Sequence, residues 1–255
     1  MTNPLFLSLS SGVFIAGSAA YLGTLMLSTK MALVAGPLGQ LALPGTALAL
    51  LYGFSLSLGA FPFVVAGVVL IWLLEIRTKL QMEALTAIVF ATGVAGAFLF
   101  LPIDKAEAAL VGDIGRVALH DTIVSVILSS GVFFVIRRCY PEIMLISIHE
   151  DLARAEGINV KLYNLIYLST IAIIVSLGVY LVGGLMTAAL VAVPAAAAKN
   201  VSKTLLQYGL TAVSFGIVSA VIGILLATYL SLPAGPLVIL TSGVIFAVTA
   251  LMTKI

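Results

Sequence analysis

Long apolar runs alternate with short polar gaps along the whole chain, and the runs share a length scale. A helix needs about 20 predominantly apolar residues to cross a hydrocarbon core of about 30 Å, with roughly 17 to 25 tolerated. Nine runs meet that scale, at about 5–27, 32–53, 57–75, 84–102, 119–136, 163–182, 184–198, 205–230 and 235–252, the seventh being short. The predicted fold is all-α: one transmembrane domain over residues 1–255 with about nine spanning helices.

Composition agrees with the pattern. Of the 255 residues, 62% are apolar and 9% charged, with a mean hydropathy of +1.26; soluble domains hold about 45–50% apolar residues. The first run has a small-residue stretch but no Lys or Arg before Lys30. The basic start of a signal peptide is therefore missing, and the run reads as the first span.

Basic residues set the orientation. With the N-terminus outside and the C-terminus inside, Lys30, Arg77, Lys79, Arg137, Arg138, Arg154, Lys161, Lys199, Lys203 and Lys254 face the cytoplasm, against Lys105 and Arg116 outside. Asp104, Glu107, Asp113 and Asp121 then lie on or near the outer side, and the cell's cytoplasmic membrane is the expected location. A net charge of +2 gives no sign of a nucleic-acid partner, and a single cysteine, Cys139, permits no internal disulfide. Cys139 lies next to Arg137 and Arg138, at what reads as a helix end, as an interfacial thiol.

One stretch departs from the apolar pattern. ISIHEDLARAEGINVKLYN, residues 146–164, gathers charged and titratable side chains in an inside gap. Ser147 precedes Glu150 by three residues, the spacing of a capping box, and Gly157 supplies a left-handed helix end. Residues 148–156 thus read as one helix of about 13 Å, with Glu150 and Arg154 paired at i, i+4. It is too short and too polar to span. It reads either as a solvated loop helix or as an element against which a cytoplasmic partner pushes. The chain has no G-x-x-x-x-G-K-[ST] phosphate loop of its own.

EDLARAEGINVKLYN (150–164) resembles the cytoplasmic segment of the manganese/zinc permease family of ABC importers, acidic-x-x-Ala-x-x-x-Gly. Three further stretches resemble that family in the same order: MALVAGPLGQLALPGTALAL (31–50), GGLMTAALVAVPAAAAKN (183–200) and LSLPAGPLVILTSGVIFAV (230–248). The resemblance implies a metal-ion permease subunit that forms a homodimer. An ABC ATP-binding subunit would dock under each copy, and an extracytoplasmic solute-binding protein would deliver zinc, manganese or iron. ATP would be bound by the partner subunit, with no cofactor and no catalytic residue in this chain. The hydrophilic stretch would be the coupling helix, with Ser147, Glu150, Leu152, Ala153, Arg154 and Gly157 meeting a groove on the ATPase.

The substrate side departs from the family. There the second span carries an Asp and, four residues later, a His upstream of a Pro-Gly pair; the same positions here hold Gly36 and Gln40, before Pro44 and Gly45. Gln40 offers a carbonyl and an amide but no charge, a poor site for a bare divalent cation on its own. Three routes stay open. The cation passes weakly bound on backbone carbonyls freed near Gly36, Pro37, Gln40, Pro44, Gly45 and Pro194; the solute is a chelated metal or a non-metal; or the ligands lie elsewhere, at His120, Asp121 and Asp113. The prolines also read as packing kinks, and His120 with Asp121 as an ordinary interfacial cap. His149 falls in the coupling segment, away from any pathway. Asp104, Lys105, Glu107, Asp113 and Arg116 form the longest outer loop, where charge complementarity would guide the binding protein.

Two other classes fit less well. An ATP-independent channel or secondary transporter coupled to protons or sodium would ordinarily need buried carboxylates, which the spans nearly lack. An intramembrane enzyme would need a motif such as G-x-S-x-G or H-E-x-x-H, and neither occurs.

Overall fold

The computed structural model describes residues 4–29, 31, 35–53, 56–78, 80–100, 119–184 and 186–252. Among them every regular element is an α-helix, as expected. In chain order they are α1 (Pro4–Ser28), α2 (Ala35–Leu41), α3 (Leu43–Tyr52), α4 (Leu56–Thr78), α5 (Met82–Phe100), α6 (Leu119–Ile148), α7 (Glu150–Ala155), α8 (Val160–Val182), α9 (Thr187–Val201), α10 (Leu205–Leu230) and α11 (Ala234–Met252). Six of these, α1, α4, α6, α8, α10 and α11, are long and apolar enough to cross a membrane, and two shorter apolar helices cover Met82–Gly96 and Thr187–Val201.

The helices carry little amphipathic signal because both lipid and core are apolar. Helix α8 is the centre: Leu168, Ile171, Ile174 and Leu181 are fully enclosed. Helix α1 packs on α10, α6, α9 and α8, while α2 is inserted among α4, α5, α8 and α9. Small residues permit the close crossings. A Cβ on Gly216 of α10 would meet the Ala16 carbonyl oxygen of α1 at 2.6 Å, the short backbone approach that stabilises helix pairs in lipid. Ser18 Oγ of α1 donates to the Ser129 carbonyl of α6 at 2.9 Å, satisfying a hydroxyl away from water. Large exposed apolar side chains such as Phe6, Ile127, Phe134 and Leu240 lie on the outside of the bundle, where lipid replaces water as the solvent.

Three expectations change. The fifth run, expected at 119–136, continues as one helix to Ile148 and carries Pro141 in its interior. Pro141 withholds only the amide that would serve Arg137, and the apolar residues from Ile143 onward keep burying a face, so the helix survives the proline. At 30 residues it is about 45 Å long, longer than the hydrocarbon core. Arg138 and Glu142 are paired on it at 3.3 Å. Cys139 consequently sits within this helix rather than at its end, partly buried. The second run is divided at Ala42 into α2 and α3.

The third change concerns the cap of the polar helix. Ser147 belongs to α6, and the residue before α7 is His149, with φ −145° and no capping hydrogen bond from its side chain. A related exchange, reaching back to the amide one residue before the cap, occurs instead ahead of α10. There Thr204 Oγ1 accepts from the Gln207 amide at 3.2 Å, and Gln207 Oε1 accepts from the Lys203 amide at 3.0 Å.

Candidate functional site

The polar helix α7 is held at a corner between α6 and α8. The His149 amide donates to the Leu145 carbonyl at 2.9 Å, and the Ile158 amide donates back to the Ala153 carbonyl at 3.0 Å. Ala153 is fully buried against the bundle, while Leu152 is 48% exposed. Gly157 has φ +81° and ends the helix, as its sequence position predicted. Asn159 then starts α8 by accepting from the Leu162 amide at 3.2 Å, a cap outside the S-x-x-E spacing.

On the exposed face of α7, Arg154 Nη2 and Nε donate to Glu150 Oε1 at 2.6 and 3.1 Å. The pair was expected from its i, i+4 spacing. Hydrogen bonding to Glu150, joined by its charge, raises the Arg154 guanidinium above its ordinary value, so Arg154 keeps its positive charge at any physiological pH. Both side chains are more than half exposed, so water screens their attraction and the pair stabilises the fold little. What it does is fix two opposite charges beside an exposed leucine on a short rigid helix.

The broken helix α2–α3 forms a second region. Proline supplies no amide, so Pro44 leaves the Gln40 carbonyl without its helical donor, and Pro194 in α9 does the same for Leu190. The chain turns at Ala42, whose amide reaches Gly39 at 3.3 Å in a tighter bond. Pro37 and Gln40 are partly buried, while Gly45 is enclosed. One flank of α2 touches the turn before α9: a Cβ on Gly39 would meet the Gly184 carbonyl oxygen at 2.6 Å. On the other flank, Leu41 lies in a slot made by Gly67 of α4 and Gly93 of α5, whose added Cβ atoms would approach it at 2.8 and 2.6 Å. Glycines 45 and 59 bring α3 and α4 into backbone contact, each lying where the other's Cβ would be.

The expected metal ligands are only partly brought together. His120 Nδ1 lies 3.9 Å from Asp121 Oδ1 at the first turn of α6, with the imidazole 78% exposed. Among the described residues no group of three or more His, Cys, Asp or Glu side chains is placed to hold a metal ion. Asp113 lies outside the described residues, as do Lys30, Lys79, Asp104, Lys105, Glu107, Arg116 and Lys254.

Comparison with known proteins agrees with the helical arrangement. The family model described as "ABC 3 transport family" matches residues 1–253. The manganese transport system membrane protein MntC of Listeria monocytogenes is 24% identical, over 90% of this chain and 84% of its own. The high-affinity zinc uptake system membrane protein ZnuB of Buchnera aphidicola is also 24% identical, over 98% of each chain. Among solved structures, PsaBC from Streptococcus pneumoniae in complex with Fab superposes with a TM-score of 0.82 at 20% identity, covering 98% of this chain and 91% of that one. That likeness shows the fold. The resemblance read from residues 150–164, 31–50, 183–200 and 230–248 is borne out by the family match.

Proposed function

The chain belongs to the ABC 3 transport family, and from that premise we propose that it is the membrane-spanning permease subunit of an ATP-driven importer for a divalent transition metal such as manganese or zinc. It works as a homodimer in the cytoplasmic membrane. A separate ATP-binding subunit docks on α7 of each copy, and an extracytoplasmic binding protein meets the outer loop containing Asp104, Glu107 and Asp113. ATP hydrolysis takes place in the separate chain, and this one moves solute by alternating access without covalent chemistry. Nine spans with the N-terminus outside fit the helices: the six long ones, α5, α9, and the broken α2–α3 pair.

The observation that carries this reading is α7. A short helix with one buried alanine, an exposed leucine and a fixed charge pair, locked at a corner between two long helices, is shaped to receive a push and pass it on. Glu150, Leu152, Arg154 and Gly157 meet the ATPase, Ala153 anchors the helix from beneath, and Ser147 lies in the last turn of α6 behind it. The pathway runs past Gly36, Pro37, Gln40, Pro44 and Gly45, with Pro194 on the facing helix. Backbone of this irregular kind is tolerated at membrane depth where it lines a cavity. His120 and Asp121 mark the outer end of α6, where with Asp113 they would form an entry site.

A second reading, in which the solute is a chelated metal or a non-metal, is favoured by one feature: Gly36 and Gln40 replace the ionisable pair of the resembled family. One experiment separates the readings. Tagged protein is purified in mild detergent from its native membrane, every retained protein is identified by mass spectrometry, and the metal content of the binding protein is measured. An ATPase with a manganese- or zinc-loaded partner supports the metal importer. An ATPase with a metal-free partner favours the second reading, and no ATPase refutes both.

A further inference from the structure

The cytoplasmic end of α4 is fastened to the first turns of α8 by two side chains. Trp72 Nε1 donates to the Lys161 carbonyl at 3.4 Å, and Asn164 Nδ2 donates to Glu75 Oε1 at 3.2 Å. Residues 72 and 75 are one turn apart on α4, as are 161 and 164 on α8, so the two bonds form successive rungs between neighbouring helix faces. Glu75 is a half-buried carboxylate in a helix whose other charged residue among those described is Arg77. Its position here needs a reason, since such groups oppose membrane insertion. The rungs border a cavity of about 660 Å³ that Glu150 and Arg154 of α7 also line. The Ile158-to-Ala153 hydrogen bond and the Asn159 cap make the α7–α8 junction a fixed corner.

The other end of α4 reaches the broken helix. Gly67 precedes Glu75 by eight residues, about 12 Å along a helix, and forms one wall of the slot that holds Leu41. The internal proline of α4, Pro62, lies beyond Gly67, so the backbone ladder between the slot and the rungs is uninterrupted. Leu41 is the residue after Gln40 and the last before the Ala42 turn. A missing ladder bond makes displacement there cheaper than elsewhere in the bundle.

We propose that α4 from Phe63 to Thr78 is a lever that carries displacement of α7 to the α2–α3 break, with Trp72 and Glu75 as the positioning residues that make it move with α8. The inference rests on the permease reading above. Movement of α7 turns the first turns of α8; the two rungs take α4 with them, and the Gly67 wall shifts Leu41 and with it Gln40. The carboxylate acts here as a hydrogen-bond acceptor for Asn164, and its charge is not required.

The test uses the permease with its co-purified ATPase and binding protein in proteoliposomes, with MnCl2 as probe, and reads ATP hydrolysed per Mn²⁺ taken up. Glu75→Leu and Asn164→Leu are expected to retain the ATPase yet raise this ratio by about fivefold or more, the factor equivalent to losing one ordinary hydrogen bond. Glu75→Gln keeps an acceptor for Asn164 and stays near the parent. Spin labels at Arg77→Cys and Lys161→Cys in a Cys139→Ser background supply a second readout. Their separation is expected to be the same with and without nucleotide in the parent, and to change with nucleotide in the leucine variants. The lever is overturned if the leucine variants keep the parent ratio, if Glu75→Gln is as damaged as Glu75→Leu, or if the parent separation changes with nucleotide. A parent that retains no ATPase overturns the permease reading itself, and the lever with it.

Discussion

Adding one carbon at Gly45 tests the α3–α4 contact most directly. Replacing a helical glycine by alanine is, by propensity alone, favourable by about 0.8–1 kcal/mol. At Gly45 the new Cβ falls on the Gly59 carbonyl oxygen and within 2.7 Å of Phe63 Cδ2. The ring can turn aside, but the backbone oxygen cannot, so α3 and α4 must part. Overpacking costs about 1–3 kcal/mol, and a backbone collision belongs at the top of that range, which leaves a net loss of about 2 kcal/mol for Gly45→Ala. Gly96 of α5 has nothing within 4 Å of its Cβ position, so Gly96→Ala keeps the propensity gain. For a chain near this size 1 kcal/mol moves Tm by about 2–4 °C. In mild detergent, with the folded fraction followed by size-exclusion chromatography after heating, Gly45→Ala is expected about 4–8 °C below the parent, and Gly96→Ala at or slightly above it. A Gly45→Ala Tm at or above that of Gly96→Ala would refute the close contact and the placement of α3 against α4.

At the coupling corner, Gly157→Val forces a β-branched side chain into the left-handed region, at a cost of about 1–3 kcal/mol. The variant should insert normally yet lose most of the ATPase on affinity purification. Arg154→Glu places a second carboxylate opposite Glu150 and should likewise abolish ATPase retention without changing membrane abundance on immunoblots. A Cβ at Gly36 would meet Ala188 Cβ at 3.5 Å, an ordinary contact, so Gly36→Asp enters without a clash at its first carbon and is combined with Gln40→His. The double variant should retain about one Zn²⁺ per chain after desalting, by elemental analysis, where the parent retains almost none. His120→Ala with Asp121→Ala leaves the bundle intact, so normal Tm with at least a tenfold rise in the half-saturating Mn²⁺ concentration would support an entry site. Unchanged uptake kinetics would remove these residues from the pathway.

The run lengths in the sequence located the helices closely because hydropathy is local: α10 matches its run, α1 differs by a residue at each end, and α11 differs by one residue at its start. Gly157 and the Glu150–Arg154 pair were legible for the same reason, each being decided within one helical turn. Arg137 and Arg138 misled, because two arginines closing an apolar run read as a helix end. Burial of Ile143, with the exposed Arg138 paired to the partly buried Glu142, kept α6 continuous. Ser147 and Glu150 matched a capping pattern that lost to the extra turn of α6. The Gly45–Gly59 approach and the Glu75–Asn164 rung were illegible, because each joins residues from different helices, the second pair 89 positions apart. Nothing in the local pattern of either partner names the other.

The absence of an acid–imidazole pair at Gly36 and Gln40 bears on rate as much as on substrate. With association near a diffusion limit of roughly 10⁹ M⁻¹s⁻¹, a pathway site of about 1 nM affinity would release its ion about once per second, whereas a site near 1 μM would release it about a thousand times per second. In the proposed importer the binding protein supplies capture, so affinity inside the membrane only delays passage. Carbonyls at a broken helix suit weak, brief contact, because they orient toward a cation without carrying full charge. The Gly36→Asp, Gln40→His variant therefore has an expected functional sign opposite to its binding sign: more metal retained, fewer ions delivered per minute. If it retained zinc and also transported manganese faster than the parent, ion affinity in α2 would be limiting, and a weakly binding pathway would be the wrong description of this chain.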